Sequence, residues 1–509
     1  MTDDVQETAP IPAANESEPK DGKAFRMGSL GRHSLIYAVG MVLTKAVAFL
    51  MLPVYTRLLT PADYGVLQLV MMFLEVLSIF AGSRIAYGIF HFYYKAADED
   101  AKRRVLSTAV MLLAVTFAAT SALTFALAPT IAQAIFGEGG NYITYIRLAA
   151  VGIAFESLIT VPNALFQLQQ QSIRFVGFSL LRLCLQLSLN LLLLIQFNMG
   201  VAGVLLSSVI TNVLVGGFLA VRLLFVVGRS FDFTAARAFL RFGLPLVAMQ
   251  AATFIFTFGD RYFLNKAGDT TAVGLYGLAY QFGFLVGTIG YMPLEMVWDP
   301  QRFAVAKRAD RDLIYSRVFK YMNVALITAA VGLSLFVGDV LRVISAPAFH
   351  GAAVFVPVIV GAYIFQAWGT FFNIGIMITE RTHFYTIANW AAAAVAVIGY
   401  VLLIPKYLAW GAALTVVASL GTRFWLTHVF SQRLWRINYE WSPVLRLLLI
   451  AVVFVTASAL APPLVGAGSV LLHTILFGLY ALLVWRMILA DADRHAVNGA
   501  LQRARALLT

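Results

Sequence analysis

The chain has 509 residues, 60% of them hydrophobic and only 12% charged, with a mean hydropathy of +0.82. Soluble globular proteins carry about 25% charged residues, so the composition excludes an ordinary soluble enzyme and indicates a membrane protein. The single cysteine, Cys184, excludes an internal disulfide and a cysteine-cluster metal site; inside an apolar run it reads as a small packing residue.

Residues 1–28, beginning MTDDVQETAPIPAANESEPKDGK, are acidic, polar and proline-bearing. They cannot bury enough apolar surface to order themselves and are expected to form a disordered cytoplasmic tail. The acidic start and the missing apolar core also argue against a signal peptide. A helix needs about 20 apolar residues to cross roughly 30 Å of hydrocarbon. That ruler predicts fourteen spans: 34–55, 65–90, 105–135, 142–166, 174–197, 202–228, 239–264, 272–298, 318–342, 352–378, 384–404, 409–430, 444–463 and 467–489. The connections are short, which leaves no room for a large soluble domain. The expected fold is all-α, with about fourteen transmembrane helices.

With the N-terminus inside, the inner segments hold about 26 Lys and Arg against 4 outside (Arg57, Lys266, Arg342 and Lys406). The net charge of +12 is therefore a topological signal and not a nucleic-acid footprint. The chain divides into a 1–28 tail, a first unit at 29–230, a second at 231–440, and 441–509 with two further spans and a cytoplasmic C-terminal tail.

The two units share a pattern. Arg57 and Arg261 sit at the outer ends of odd spans. A short polar link follows, then a glycine with Tyr and Leu nearby opens the next span (Gly65, Gly274). Arg84 lies 19 residues beyond the first glycine and Glu295 21 beyond the second. Repeats that start on the same side are related by an axis along the membrane normal, an arrangement that builds a central site opening alternately to each side.

LPVYTRLLTPADYGVLQLV (Leu52–Val70) and GDRYFLNKAGDTTAVGLYGLAYQF (Gly259–Phe282) resemble the two signature hairpins of the polysaccharide-exporter family, which lies within the multidrug/oligosaccharidyl-lipid/polysaccharide exporter superfamily. The resemblance spans roughly residues 28–440. It implies two six-helix lobes related by a pseudo-two-fold around a central cavity, a location in the bacterial inner membrane, and outward movement of undecaprenyl-diphosphate-linked oligosaccharide. A polysaccharide polymerase and a chain-length regulator would be further partners, beside membrane lipids.

A charge at mid-membrane costs about 2.5–3.5 kcal/mol on insertion scales and marks function by default. Lys45, Arg84, Arg182, Asp260, Arg261, Glu295 and Arg423 are the candidates for substrate binding, because a planar guanidinium can grip a diphosphate with two charge-assisted hydrogen bonds. Glu75, Glu156, Glu295 and Asp299 are the candidates for a coupling ion; Glu295 and Asp299 share one helix face. Asp260–Arg261 reads as the close of span 7 at or just inside the outer surface, either touching substrate or setting the helix end. Tyr87, His91, Phe92, Tyr93 and Tyr94 read as an interfacial aromatic belt.

Catalysis is not expected. The sequence has no phosphate-binding loop, nucleophile elbow or paired-histidine zinc motif, and its seven histidines are scattered without ligand spacing. No cofactor or metal is implied. A cation-coupled multidrug antiporter of the same superfamily is one alternative, although its cavity is expected to favour acidic residues. A membrane enzyme acting on lipid-linked sugars is the other.

Overall fold

The computed structural model describes residues 49–82, 87–137, 141–228, 230–462 and 464–488. The N-terminal tail, most of the first expected span, Lys45, Arg84 and the C-terminal tail lie outside them. All the regular elements among the described residues are helices. Twelve of these helices are long and apolar enough to cross a membrane. Ala409–Leu434 also has the length, at 26 residues, but it carries Arg423, His428 and Arg433 and stands outside the twelve. Exposed Phe80, Leu402 and Leu471 belong to the apolar outer surface such a bundle offers to lipid.

The first unit runs through α1 (Leu52–Leu58), α2 (Pro61–Ala81), α3 (Tyr87–Lys95), α4 (Glu99–Ala126), α5 (Ala128–Phe136), α6 (Tyr142–Leu168), α7 (Ser172–Leu191), α8 (Gly200–Thr211) and α9 (Gly217–Val227). The second runs through α10 (Phe233–Ala267), α11 (Thr270–Gly290), α12 (Met292–Val305), α13 (Arg311–Ile344), α14 (Val356–Phe371), α15 (Ile374–Ile378), α16 (His383–Tyr407) and α17 (Ala409–Leu434). α18 (Ser442–Leu460) and α19 (Ala467–Met487) pack on each other and on α13. Within the first group α4 packs on α6 and α6 on α8. Within the second, α17 lies between α14 and α16, and α10 packs on α16.

The equivalent helices α2 and α11 join the two groups. Each has 21 residues. Each opens on a side-chain cap five residues before its glycine. Thr60 accepts from Asp63 N, with Asp63 reaching back to Thr60 N, and Asp269 accepts from Ala272 N at 2.8 Å. These caps fix where both helices start, and so bring Gly65 and Gly274 to the same level. There the main chains touch. A Cβ on Gly65 would lie 1.7 Å from the Thr270 carbonyl oxygen, and one on Gly274 would lie 1.9 Å from that of Pro61. Only glycine permits this crossing. Around it, Arg57 Nη2 donates to Val343 O at 2.7 Å, and Asn265 Nδ2 donates to Ile135 O at 2.8 Å. This is the closed end of the bundle. At the other end, which carries Lys95, Lys102, Lys307 and Arg308, His91 stacks on Phe242 with ring centroids 5.4 Å apart, and Phe92 meets Phe239 at 4.9 Å. His91 and Phe92 thus hold α3 to α10, whereas Tyr87 and Tyr94 are exposed.

The expected continuous spans 65–90 and 272–298 are each broken. α2 stops at Gly82, whose φ of 100° ends a helix. α11 stops at Tyr291, ahead of Pro293 in the first turn of α12. The expected span 105–135 divides at Leu127, before Pro129. Cys184 is exposed and not packed inside. The outward face of α7 needs only to be apolar in a membrane, so burial preferences from soluble proteins do not carry over to it.

Candidate functional site

The intramembrane charges fall into separate places. On α6 and α7, Glu156 and Arg182 line a cavity of about 350 Å³ together with Thr160, Asn163 and Gln167, and Tyr87 and Phe90 of α3 close its side. Arg182 also borders a neighbouring cavity of about 210 Å³ with Asn163 and Gln186. Its Nη2 donates to Asn212 Oδ1 at 2.9 Å, while Nε has no partner among the described residues. Asn212 begins a widened helical turn, Asn212–Gly216, and its own amide nitrogen reaches Gly152 O at 3.4 Å. Glu156 acts on Arg182 through space, and Glu75 of α2 acts on Glu156. One guanidinium with donors to spare thus stands in a polar pocket with a carboxylate nearby.

The second group repeats the theme with different chemistry. Arg423 of α17 is buried; Nη1 donates to Gln366 Oε1 at 2.8 Å and Nη2 donates to the Tyr385 hydroxyl. The rings of Tyr385 and Phe256 lie against it at 5.3 and 5.8 Å. Its hydrogen-bond partners among the described residues are all neutral, and Nε again has none.

Asp260 and Arg261 do not end their helix. α10 continues to Ala267, and the two side chains are 0% and 3% exposed. Arg261 Nη1 meets Asp260 Oδ1 at 3.0 Å and donates to Thr257 O at 2.9 Å, and the Tyr276 hydroxyl donates to Asp260 Oδ2 at 2.6 Å. The guanidinium sits 4.6 Å from the Tyr280 ring and 5.1 Å from that of Phe258. In this conformation the pair ties α10 to α11. Arg57, its expected counterpart, is exposed. The repeat therefore holds at the glycines and caps but not at these arginines.

Glu295 and Asp299 share the face of α12, as their spacing predicts. Asp299 lies 3.4 Å from Arg302, whose Nη1 donates to Asn373 Oδ1 at 2.9 Å. Lys45 and Arg84 lie outside the described residues. Sequence reasoning missed the neutral polar groups inside the bundle, because it counted charges. Asn190 Nδ2 donates to the Tyr55 hydroxyl at 2.8 Å, and Ser207 donates to Asn190 Oδ1. Asn190, Ser207 and Gln281 lie within apolar spans, and that placement was the available signal.

Two groups of membrane helices thus meet at the glycine crossing and at the contact of α3 with α10, and they enclose polar pockets. A lipid II flippase MurJ in an inward closed conformation superposes with a TM-score of 0.71 at 12% identity, covering 89% of this chain and 99% of that one. An inward-facing multidrug resistance MATE family transporter of the MOP superfamily superposes at 0.60, with 14% identity and 76% and 94% coverage. MATE in a straight conformation gives 0.54, with 15% identity and 80% and 95% coverage. No curated protein sequence matches the chain significantly. The sequence pattern of the polysaccharide biosynthesis protein family matches residues 54–354, more than half the chain. The chain belongs to that family.

Proposed function

We propose that the protein is a flippase. It moves undecaprenyl-diphosphate-linked oligosaccharide repeat units across the bacterial inner membrane for surface polysaccharide synthesis, and it leaves the cargo chemically unchanged. The observation that carries this reading is the Arg182 guanidinium with unused donors in a polar pocket, inside a fold shared with a lipid II flippase and in a chain of the polysaccharide biosynthesis family. The basic end faces the cytoplasm by the positive-inside rule, which puts both termini inside and the Gly65–Gly274 crossing outside. The lobes are 29–230 and 231–440, with 441–509 added to the second, and they rock about the crossing to expose the interior to each side in turn.

Arg182 and Arg423 would meet the diphosphate, with Lys45 and Arg84 assigned to the same task. Glu75 and Glu156 would answer the charge of Arg182 or carry a coupling cation, as would Glu295 and Asp299 on α12. Asp260 and Arg261 would support α11 from behind. A polymerase and a chain-length regulator would act on the delivered repeats.

The test uses cells lacking the gene in a host that makes a surface polysaccharide. Undecaprenyl-linked saccharides are probed on spheroplasts with an impermeant glycosidase. Completed repeats should stay protected inside, become accessible with the wild-type gene, and stay protected with Arg182→Gln. Repeats that already reach the outer face without the gene would overturn the reading.

A further inference from the structure

A third cavity, of about 200 Å³, lies where the two helix groups meet, beside the glycine crossing. Phe49 and Tyr55 at the start of the first group, Tyr64 on α2, and Gln281, Phe284 and Thr288 on α11 line it. None of these side chains carries a charge, which separates the cavity from the Glu156–Arg182 pocket. Among the described residues it offers no cation to a diphosphate and no carboxylate to a cationic drug.

It offers hydrogen-bonding groups and ring faces. Gln281 stands in the middle of the apolar helix α11, is exposed, and makes no hydrogen bond among the described residues. An amide in that state is costly unless it looks into a wet or ligand-filled space. The Tyr55 oxygen accepts from Asn190, so its own hydrogen remains free to donate. Ser207 fixes Asn190 from behind, which sets the hydroxyl in place. The rings are also held: Phe49 edge-on against Phe282 at 5.6 Å, and Tyr64 edge-on against Phe349 at 5.9 Å. Phe284 keeps 37% of its surface exposed. Fixed aromatic faces, beside an amide with no partner among the described residues and a hydroxyl with a hydrogen to donate, suit a ligand that is neutral, rich in hydroxyls and lined on one side with C–H groups. A pyranose ring has those properties.

We infer that this cavity is a glycan subsite that holds a neutral sugar ring of the cargo, distinct from the charged pocket that takes the diphosphate. The inference rests on the flippase reading and adds the part of the cargo recognised here. Both helix groups supply walls, so a bound sugar changes the free energy of one arrangement of the groups relative to the other.

The full-length protein in lipid nanodiscs is titrated calorimetrically with two probes: farnesyl diphosphate, and the same lipid diphosphate carrying one N-acetylglucosamine. The sugar should raise wild-type affinity by about 10-fold. Gln281→Leu and Tyr55→Phe should each bring the two probes within about 3-fold of one another, the effect of losing one hydrogen bond, and leave the sugar-free probe unchanged. Arg182→Gln should weaken both probes alike. Equal wild-type affinities with an intact Arg182 effect would overturn the glycan subsite and leave the flippase reading standing. Equal weakening of both probes by Gln281→Leu would also overturn the subsite. If neither probe binds the wild type, both readings fall.

Discussion

Gly65→Ala tests whether the crossing of α2 and α11 holds the closed end together. The new methyl carbon would fall 1.7 Å from the Thr270 carbonyl oxygen, where ordinary contact begins at 3.4 Å. The obstacle is main chain and cannot swing aside, so the helices must part by roughly 1.5 Å or more, and overpacking of this kind costs about 1–3 kcal/mol. The cost falls only on the arrangement in which the helices touch. It should therefore shift the closed-to-open ratio by about 5- to 150-fold. Spin labels at Leu58 and Val343, both exposed near the crossing, would report it by double electron–electron resonance in a Cys184→Ser background. Gly65→Ala and Gly274→Ala should each add a long-distance population. Gly177→Ala, where nothing lies within 4 Å of the added carbon, should not. An unchanged distance distribution in a well-folded Gly65→Ala protein would refute the reasoning.

The buried pair on α10 gives a graded prediction. Asp260→Asn leaves Arg261 enclosed without its counter-charge and should cost about 3–5 kcal/mol, whereas Tyr276→Phe removes one hydrogen bond to a charged group and should cost about 1.5–3 kcal/mol. Thermal unfolding in detergent orders the two, and a wild-type melting temperature for Asp260→Asn would contradict the enclosed ion pair. At the closed end of α19, Asp339 accepts from Ser469 at 2.7 Å, meets His473 Nδ1 at 2.6 Å and lies 3.3 Å from Arg342. Asp339→Ala should therefore speed amide exchange at the start of α19 and leave the middle of α13 unaffected. Mass spectrometry on exchanged peptides checks this, and equal exchange at residues 467–475 would count against the clasp.

The parts of this fold written in local chemistry were legible in the sequence. Caps five residues ahead of Gly65 and Gly274, and apolar runs long enough to span, need no knowledge of the rest of the chain. The breaks at Gly82 and Tyr291 were less visible, because hydropathy continues across them. The role of Asp260–Arg261 was hidden for another reason. Whether a charged pair faces water, substrate or a wall of tyrosines depends on Tyr276 and Tyr280, which reach it only after α11 folds back on α10. Arg182 was found as a charge, but its pairing with Asn212 depends on a widened turn that leaves no trace in composition. Gln281 and Tyr55 escaped because a search for charge overlooks amides and hydroxyls, which also have to be satisfied inside a membrane.

The meeting of α2 and α11 has a consequence for leakage. Most seals in proteins are made of side chains, which flicker among rotamers and admit water or ions for brief moments. Here two main chains lie against each other with no side chain between them, so local flicker cannot loosen the seam. It gives way only when whole helices move. The proposed cargo, a lipid-bound saccharide, would demand a wide opening, yet a membrane that stores energy as an ion gradient cannot tolerate a wide hole at rest. Under the proposed function a seam of this kind would meet both demands, staying shut until the large displacement that also releases the cargo.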